Sequence, residues 1–546
     1  MPAGRPQTKN LPADLMAGLT TALVGIPQAM GFAIVAGIHP IYGLYTAAFS
    51  TAIAALLTGS SYLKVMLSNI LAISIYPVLV PVPEAEIPAT LFVLTLLVGI
   101  FQLALGLIRA GSLTRFISNA VLTGFITGGG LLIILGQLGN FTGYEPGRYE
   151  ILLLAAVDVL RHAGDLNPEA LAIGLLTIGL ILLFRKIPHI RTAALLLPII
   201  ITTLLVRITD LNITLVGDLS AIPAGLPAPA IPDLTLAPGL IVPALALAIL
   251  GLVMAVGVTE KTPEPDGTIA DVDQDFRGQG LTNIICSLFL CAPASGSLSG
   301  TALNVSAGAE TRAANLFSGI IVGLLILIAG PIAELIPLPA LAGLLILIGA
   351  ELMHRPHEIA CILRFSRPGR WGMVATFIST QVLPLQYSIY IGVLLSLAIY
   401  LITSTREATV VHLVPVGGGL FREEKAPEHL LDGEITVLAI SGNVFFATLR
   451  AIERSLPAPE GTKGAVVILA LRGQVEAGTG IFRMLERYAR RVRAHDGRLI
   501  LAEVNPGLLA GLGGTGATEA IEPGNIFIAT PIIGESIFEA IRAAGK

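Results

Sequence analysis

Charged residues are scarce in this chain of 546 residues: they make up 13% of it, whereas soluble proteins contain about 25%. The three cysteines lie in or beside apolar runs, with no spacing typical of a disulfide framework or a metal site. A net charge of −4 gives no indication of a nucleic-acid partner. Apolar residues, by contrast, make up 54% of the chain. This composition is typical of a polytopic membrane protein.

Motifs of enzymes are also missing. The sequence has no phosphate-binding Walker loop, no cluster of metal ligands and no convincing nucleophile triad. We therefore predict no enzymatic activity, no catalytic residue, no metal and no cofactor.

Apolar runs divide the first 405 residues into two sets of seven. The third member of each set is short and follows glycine and serine residues, a pattern typical of inverted-repeat transporters with a binding site at the membrane midplane. The first set is 15–37, 41–57, 68–80, 89–108, 119–138, 170–184 and 192–206. The second set is 240–258, 278–290, 301–309, 314–335, 338–352, 371–385 and 389–402.

Basic residues crowd alternate loops of this topology. With a cytoplasmic N-terminus, fourteen of them fall inside, whereas the opposite loops contain mainly acidic residues. This asymmetry follows the positive-inside rule and predicts that both termini are cytoplasmic. The inside residues are Lys64, Arg109, Arg115, Arg185, Lys186, Arg191, Lys261, Arg277, Arg312, Arg355, Arg364, Arg367, Arg370 and Arg406.

The stretch 293–308, PASGSLSGTALNVSAG, is too small and too polar for an ordinary membrane helix. One interpretation is a loop that breaks at Gly296–Gly300 and starts a short helix near Thr301, whose free N–H groups would face an anion. The alternative is a small-residue interface that lets two helices pack closely.

Beyond Arg406 the composition changes. Residues 406–433 are turn-rich and charged, which predicts a linker, and from residue 434 strands alternate with helices. We predict strands at 435–441, 465–471 and 499–504, and helices at 446–456, 480–495 and 533–544. The chain is thus divided into an N-terminal segment 1–11, a transport domain 12–405, a linker 406–433 and an α/β domain 434–546.

Three motifs resemble those of the sulfate permease (SulP) family of anion transporters, the relatives of prestin. Residues 25–45, GIPQAMGFAIVAGIHPIYGLY, are similar to the family's first helix, residues 278–284, GQGLTNI, to the start of its ninth, and residues 296–312 to its tenth. The C-terminal part resembles the STAS domain of these proteins.

The resemblance implies a uracil-permease-like fold of 14 spans, a seven-plus-seven inverted repeat in which a core domain moves against a gate domain, followed by a cytoplasmic α/β STAS domain. It implies that the anion lies between the N-termini of helices three and ten, beside helix one. The implied substrate-binding residues are Gln28, Phe32, Ser68, Asn69, Ser299, Gly300 and Thr301. Individually, Gln28 could instead bond a neighbouring helix, and Phe32 could serve packing only.

Two departures from the family bear on the substrate. Gly300 stands where many members have an arginine, and Met254 stands near a position that is often acidic. No charged side chain is therefore expected near the site, and anion binding is expected to depend on helix ends and neutral donors.

The resulting prediction is a secondary active or facilitative transporter of a small anion: sulfate, bicarbonate, chloride, nitrate or a carboxylate. We predict a homodimer embedded in the lipid of the inner or plasma membrane. Two alternatives stay open, a non-transporting anion sensor that signals through its STAS domain and a permease for a neutral solute such as a nucleobase.

Overall fold

The computed structural model divides the chain into two compact units, one up to Leu397 and one from Ala398 onward. The predicted N-terminal segment 1–11 lies outside the described residues except for Leu11. The described residues are 11–111, 118–147, 149, 151–188, 190–219, 225–264, 266–407, 409–442, 444, 448–472, 479–512 and 517–545.

The first unit is helical, with two strands of two residues each. Every apolar run predicted from the sequence falls on a helix, and the last of these helices extends past Leu397. The helices are α1 (Leu11–Val35), α2 (Pro40–Leu57), α3 (Asn69–Leu79), α4 (Ile87–Leu107), α5 (Asn119–Thr142), α6 (Leu152–Arg161), α7 (Pro168–Arg185), α8 (Leu196–Thr209), α9 (Val216–Leu219), α10 (Ala237–Lys261), α11 (Val272–Cys286), α12 (Leu298–Ser306), α13 (Ala313–Ala333), α14 (Leu338–Met353), α15 (Pro356–Phe365), α16 (Arg367–Val382) and α17 (Leu385–Glu407). The strands are β1 (Val65–Met66) and β2 (Ser295–Gly296).

Seven helical stretches of the described chain are long and apolar enough to cross a membrane. Four shorter apolar helices accompany them, among them α3 and α8. Two further helices of ten residues, α6 and α15, were not predicted because their apolar residues cover one face only. They occupy matching places, since α6 follows α5, the fifth run of the first set, and α15 follows α14, the fifth run of the second.

The helices α1, α2, α4, α11 and α13 form one group, in which helix backbones pack closely at glycine residues. A Cβ atom added to Gly43 of α2 would lie 2.2 Å from the carbonyl oxygen of Ala29 in α1, and one added to Gly319 of α13 would lie 2.5 Å from that of Ala48 in α2. Gly99 of α4 approaches α11 in the same way. Such small residues let membrane helices pack backbone to backbone.

A second group contains α5, α7, α14 and α16. A Cβ atom on Gly124 of α5 would lie 2.2 Å from the carbonyl oxygen of Met373 in α16, and one on Gly349 of α14 would lie 2.7 Å from that of Gly130 in α5. The two groups meet where Gly31 of α1 lies against a side chain of α14. The helices of the first unit are therefore arranged as two tightly packed sets.

The second unit has a six-stranded sheet in the order β4-β3-β5-β6-β7-β8, parallel from β5 to β8 and antiparallel at β3 and β4. The predicted strands and helices are all present, but two strands lie within the stretch 406–433 that was predicted to be a linker. The strands are β3 (Thr409–Gly417), β4 (Leu420–Lys425), β5 (Ile435–Ser441), β6 (Val466–Ala470), β7 (Arg498–Val504) and β8 (Ile526–Ile528). The helices are α18 (Leu449–Ser455), α19 (Thr479–Arg493), α20 (Pro506–Leu512), α21 (Ala517–Ala520) and α22 (Glu535–Ala544).

Alternating side chains of the strands face two apolar cores. Val467 and Leu469 of β6 pack with residues of α18, α19 and α20, whereas Ile468 of the same strand packs with Ile537 of α22. This is the period of two that a strand covered on both faces requires. The linker prediction failed because a turn-rich, charged hairpin at a sheet edge has the same composition as a linker.

Candidate functional site

The loop before α12 crosses the loop before α3. Strand β2 pairs antiparallel with β1, with Val65 opposite Gly296 and Met66 opposite Ser295. Because β1 leads into α3 and β2 leads into α12, the two short helices begin at opposite ends of one small strand pair. Helix α12 begins at Leu298, three residues before the predicted start.

This loop also packs closely against its neighbours. The broken helix and the small-residue interface, which the sequence offers as alternatives, therefore both describe the same segment. A Cβ atom on Gly296 would lie 2.8 Å from the side chain of Leu63 and 3.2 Å from the Cα atom of Ala255 in α10. The stretch is therefore both a helix break and a point of close approach.

Side chains of α11 hold the extended loop in place. The amide of Asn283 donates to the carbonyl oxygen of Ala294 at 2.8 Å and accepts from the N–H of the same residue at 2.9 Å. Gln279 accepts from the N–H of Gly296 at 2.9 Å. Both residues lie in the stretch that resembles the family's ninth helix, but the resemblance assigns neither of them a role. Buried amides close to a broken helix were the available signal, because exposed backbone at membrane depth needs such partners.

Ser297 caps the N-terminus of α12. Its hydroxyl accepts from the N–H of Gly300 at 3.1 Å, and its carbonyl oxygen accepts from the N–H of Thr301 at 2.9 Å. The hydroxyl of Thr301 in turn accepts from the N–H of Lys64 at 3.0 Å. The Gly300 amide and the Thr301 hydroxyl are thus engaged within the protein, and the amides of Leu298 and Ser299 remain the donors of the first turn without an intrahelical partner.

Helix α3 begins without such a cap. The Ser68 hydroxyl stands at the N-cap position but makes no capping hydrogen bond; it lies 3.3 Å from the hydroxyl of Ser295, across the strand pair. The Asn69 side chain accepts from the N–H of Ile70 at 2.8 Å. Ser68, Asn69 and Ser295 are all buried. Ser295 was not among the predicted site residues, although it follows the same serine-rich pattern.

The two candidates on α1 lie four residues apart, and so on one face of the helix. Gln28 is buried, and its amide forms no hydrogen bond with the part of the chain that the structure describes. Phe32 is fully buried within the apolar core of the first unit. The remaining candidate, Ser299, is exposed, and its hydroxyl lies 3.4 Å from that of Ser297.

An ionisable side chain does lie beside these residues, although the sequence predicts none near the site. Lys64 was counted among the cytoplasmic loop charges, yet it is only 4% exposed. Its Nζ atom donates to the hydroxyl of Ser318 at 2.9 Å and to the carbonyl oxygen of Thr21 at 3.3 Å. Its aliphatic stem passes Gly300, whose Cβ position would be 3.3 Å from the lysine Cδ atom.

Two buried carboxylates of the first unit cap loops rather than face the strand pair. Asp14 of α1 accepts from the N–H groups of Glu310 and Thr311 at 2.9 and 3.0 Å. Asp275 of α11 accepts from those of Gly59 and Ser60 at 2.8 and 2.9 Å. Each therefore has a structural role at a chain reversal.

Comparison with known proteins gives a consistent result. The sequence pattern of the sulfate permease family matches residues 11–376. "Putative sulfate transporter YvdB" of Bacillus subtilis (strain 168) is 27% identical over 492 residues, which cover 89% of this chain and 90% of the relative. "Probable sulfate transporter 4.2" of Arabidopsis thaliana is 30% identical, with 81% of this chain and 67% of the relative covered.

Solved structures show the same fold. "The overall structure of SLC26A9" superimposes with a TM-score of 0.87 at 19% identity and covers 99% of this chain and 91% of that one. "The transmembrane domain of a cyanobacterium bicarbonate transporter BicA" matches 71% of this chain with a TM-score of 0.60 at 23% identity. The fold is that of an α-helical membrane transporter with a C-terminal α/β domain. The chain is an integral membrane protein and belongs to the sulfate permease family.

Proposed function

We propose that this protein is a secondary transporter, active or facilitative, that moves a small anion across the membrane by alternating access. The observation that carries the proposal is the strand pair from which α3 and α12 begin, since it brings two helix N-termini and the hydroxyls of Ser68 and Ser295 to one buried place. Helix N-termini and neutral donors can replace the hydration shell of an anion.

The binding site in this proposal is built by Gln28, Ser68, Asn69 and the first turn of α12 from Leu298 to Thr301, in which Gly300 leaves room for a close approach. Phe32 closes the site from the apolar core. Gln28 supports the assignment because its amide forms no hydrogen bond with the described residues and is therefore available to a ligand. Ser297 fixes the first turn of α12, and its cap leaves the amides of Leu298 and Ser299 for the anion.

The architecture in this proposal is 14 spans arranged as a seven-plus-seven inverted repeat. The matching places of α3 and α12, and of α6 and α15, support it. The helix group around α1, α2, α4, α11 and α13 would be the core domain that carries the site, and the group around α5, α7, α14 and α16 would be the gate domain. The transport domain then covers about residues 12–405, and the STAS-like domain begins at β3 rather than at residue 434.

The candidate substrates are sulfate, bicarbonate, chloride, nitrate and a carboxylate. The names of the relatives favour sulfate as the first to test. Purified protein in liposomes should take up at least one labelled anion of this panel faster than protein-free liposomes do, and should not take up uracil. Uptake of uracil alone would contradict the proposal, and binding of an anion without uptake would point to a sensor.

We further propose that the protein is a homodimer of the cytoplasmic membrane with both termini in the cytoplasm, as its basic loops indicate. Two exposed loop residues test the topology: Ile231 is 92% exposed and Ile269 is 62% exposed. In a background that lacks the exposed Cys361, a membrane-impermeant maleimide should label Ile231→Cys but not Ile269→Cys in intact cells. The reverse pattern would place the termini outside.

A further inference from the structure

Lys64 is a buried lysine whose hydrogen-bond partners are all neutral. Its ammonium group contacts the Ser318 hydroxyl of α13 and the Thr21 carbonyl oxygen of α1, and both of these residues are 1% exposed or less. No carboxylate lies within ion-pair distance of Nζ in the described parts of the chain. An unbalanced charge at membrane depth is costly, and ionisable residues placed there usually serve binding or transport.

The polypeptide holds this lysine against the start of α12. The Lys64 N–H donates to the hydroxyl of Thr301, and the Lys64 carbonyl oxygen accepts from the N–H of Ser297 at 2.9 Å. The side chain then runs beneath Gly300, which has no side chain of its own to fill that space. The backbone and the aliphatic stem of Lys64 are therefore part of the same cluster of contacts as the α12 cap.

The ammonium group also lies near the α1 side of the site. A Cβ atom on Gly25 would be 3.8 Å from Nζ, and Gly25 is three residues before Gln28, one helical turn away. Lys64 thus stands between the α12 N-terminus and the turn of α1 that precedes Gln28. A positive charge in this position raises the electrostatic potential at both.

We propose that Lys64 supplies the positive charge that balances the transported anion, acting over a distance as a positioning residue of the site. This inference rests on the proposed function and deepens it, because it gives the site a net charge that helix ends and hydroxyls alone do not have. It also selects for the substrate class: a neutral solute would leave the lysine without a counter-charge, whereas an anion supplies the missing one.

Ser318 offers a test that leaves Lys64 in place. Ser318→Asp puts a carboxylate next to Nζ and forms an internal ion pair, whereas Ser318→Asn adds a neutral side chain of the same size. Removing one unit charge within about 10 Å of an anion, at an effective dielectric constant of about 20, weakens binding by roughly tenfold or more. We expect that loss in the aspartate variant, and a change of less than about threefold in the asparagine variant.

Binding is measured by calorimetric titration of detergent-purified full-length protein with sulfate, bicarbonate, chloride, nitrate and acetate. Equal anion affinity of the Asp and Asn variants would overturn the inference and leave a purely structural role for Lys64. A wild-type protein that binds none of the five anions would instead contradict the proposed function, so the two failures are distinguishable.

Two lysine variants keep the inference testable if the Ser318 variants do not fold. Lys64→Gln should lose anion affinity by roughly tenfold or more, and Lys64→Arg, which keeps the charge, should recover most of it. Wild-type affinity in a folded Lys64→Gln protein would overturn the inference. Because the charge is buried, the difference should persist at 0.15 M salt, where exposed charges more than about 8 Å apart are largely screened.

Discussion

The two short helices α3 and α12 start from the same strand pair but are built differently. Helix α12 is capped by Ser297, and α11 anchors the loop before it through Asn283 and Gln279. Helix α3 has no side-chain cap, and nine of its eleven residues are buried. The N-terminus of α12 is therefore fixed by specific polar contacts, and that of α3 mainly by apolar packing. We therefore expect substitutions at α12 to have larger effects on anion binding than substitutions at α3.

The largest loss of anion uptake is expected from a side chain that fills the space at the start of α12. A Cβ atom on Gly300 would lie 3.1 Å from the Met66 sulfur and 3.2 Å from the Ser297 hydroxyl, so Gly300→Leu must displace the cap. We expect uptake of the transported anion to be abolished at normal expression. Gly179→Leu in α7 is the matched control, because nothing lies within 4 Å of that position. Near-native uptake by the Gly300 variant would place the site elsewhere.

Removal of the cap should have the next largest effect. Ser297→Ala should lower the free energy of unfolding by about 1 kcal/mol, the usual contribution of a helix N-cap, and reduce uptake several-fold. Ser68→Ala, at the helix without a cap, should lower the free energy of unfolding by less than about 0.5 kcal/mol, because it removes one long hydroxyl contact. Thermal unfolding and uptake of both variants are measured side by side. A larger loss of stability at Ser68 would reverse the comparison.

Sodium and pH gradients are expected to have a smaller effect on anion uptake, because α3 and α12 both lack acidic residues. Cation coupling generally needs a carboxylate or a set of oxygens at the midplane. Glu260 of α10 is exposed, and the buried Asp14 and Asp275 bind loop amides. We expect uptake into proteoliposomes to change little when a sodium or pH gradient is collapsed. Several-fold stimulation that is lost in Glu260→Gln would contradict this.

The smallest effect on selectivity is expected from removal of the second unit. Every residue proposed for the site lies in the first unit, so a chain ending at residue 405 should keep the same ranking of anions while its yield or dimer fraction falls. Competition of each anion with labelled substrate measures the ranking. A changed order would show that the C-terminal domain takes part in substrate choice.

The sequence predicted the helices well because a membrane span needs a long apolar run, and this signal is local. The serine and glycine content also indicated where α12 breaks, although not its first residue. The strand pair and the anchoring role of Asn283 could not be predicted, because they depend on contacts between distant parts of the chain. The prediction that Lys64 lies in a cytoplasmic loop is wrong for a related reason. A lysine between two spans has the same sequence pattern whether its side chain faces the cytoplasm or is buried in the protein.

The pairing of β1 with β2 also has a consequence for the order of assembly. Ser68 and Ser295, which meet across it, are 227 positions apart in the sequence. During synthesis β1, which precedes α3, therefore stays unpaired until more than half of the chain has been made. Contacts of such long range form late and leave unsatisfied backbone exposed in the meantime. The anion site is thus expected to form only after the second half of the chain has begun to be made, and not with the first spans.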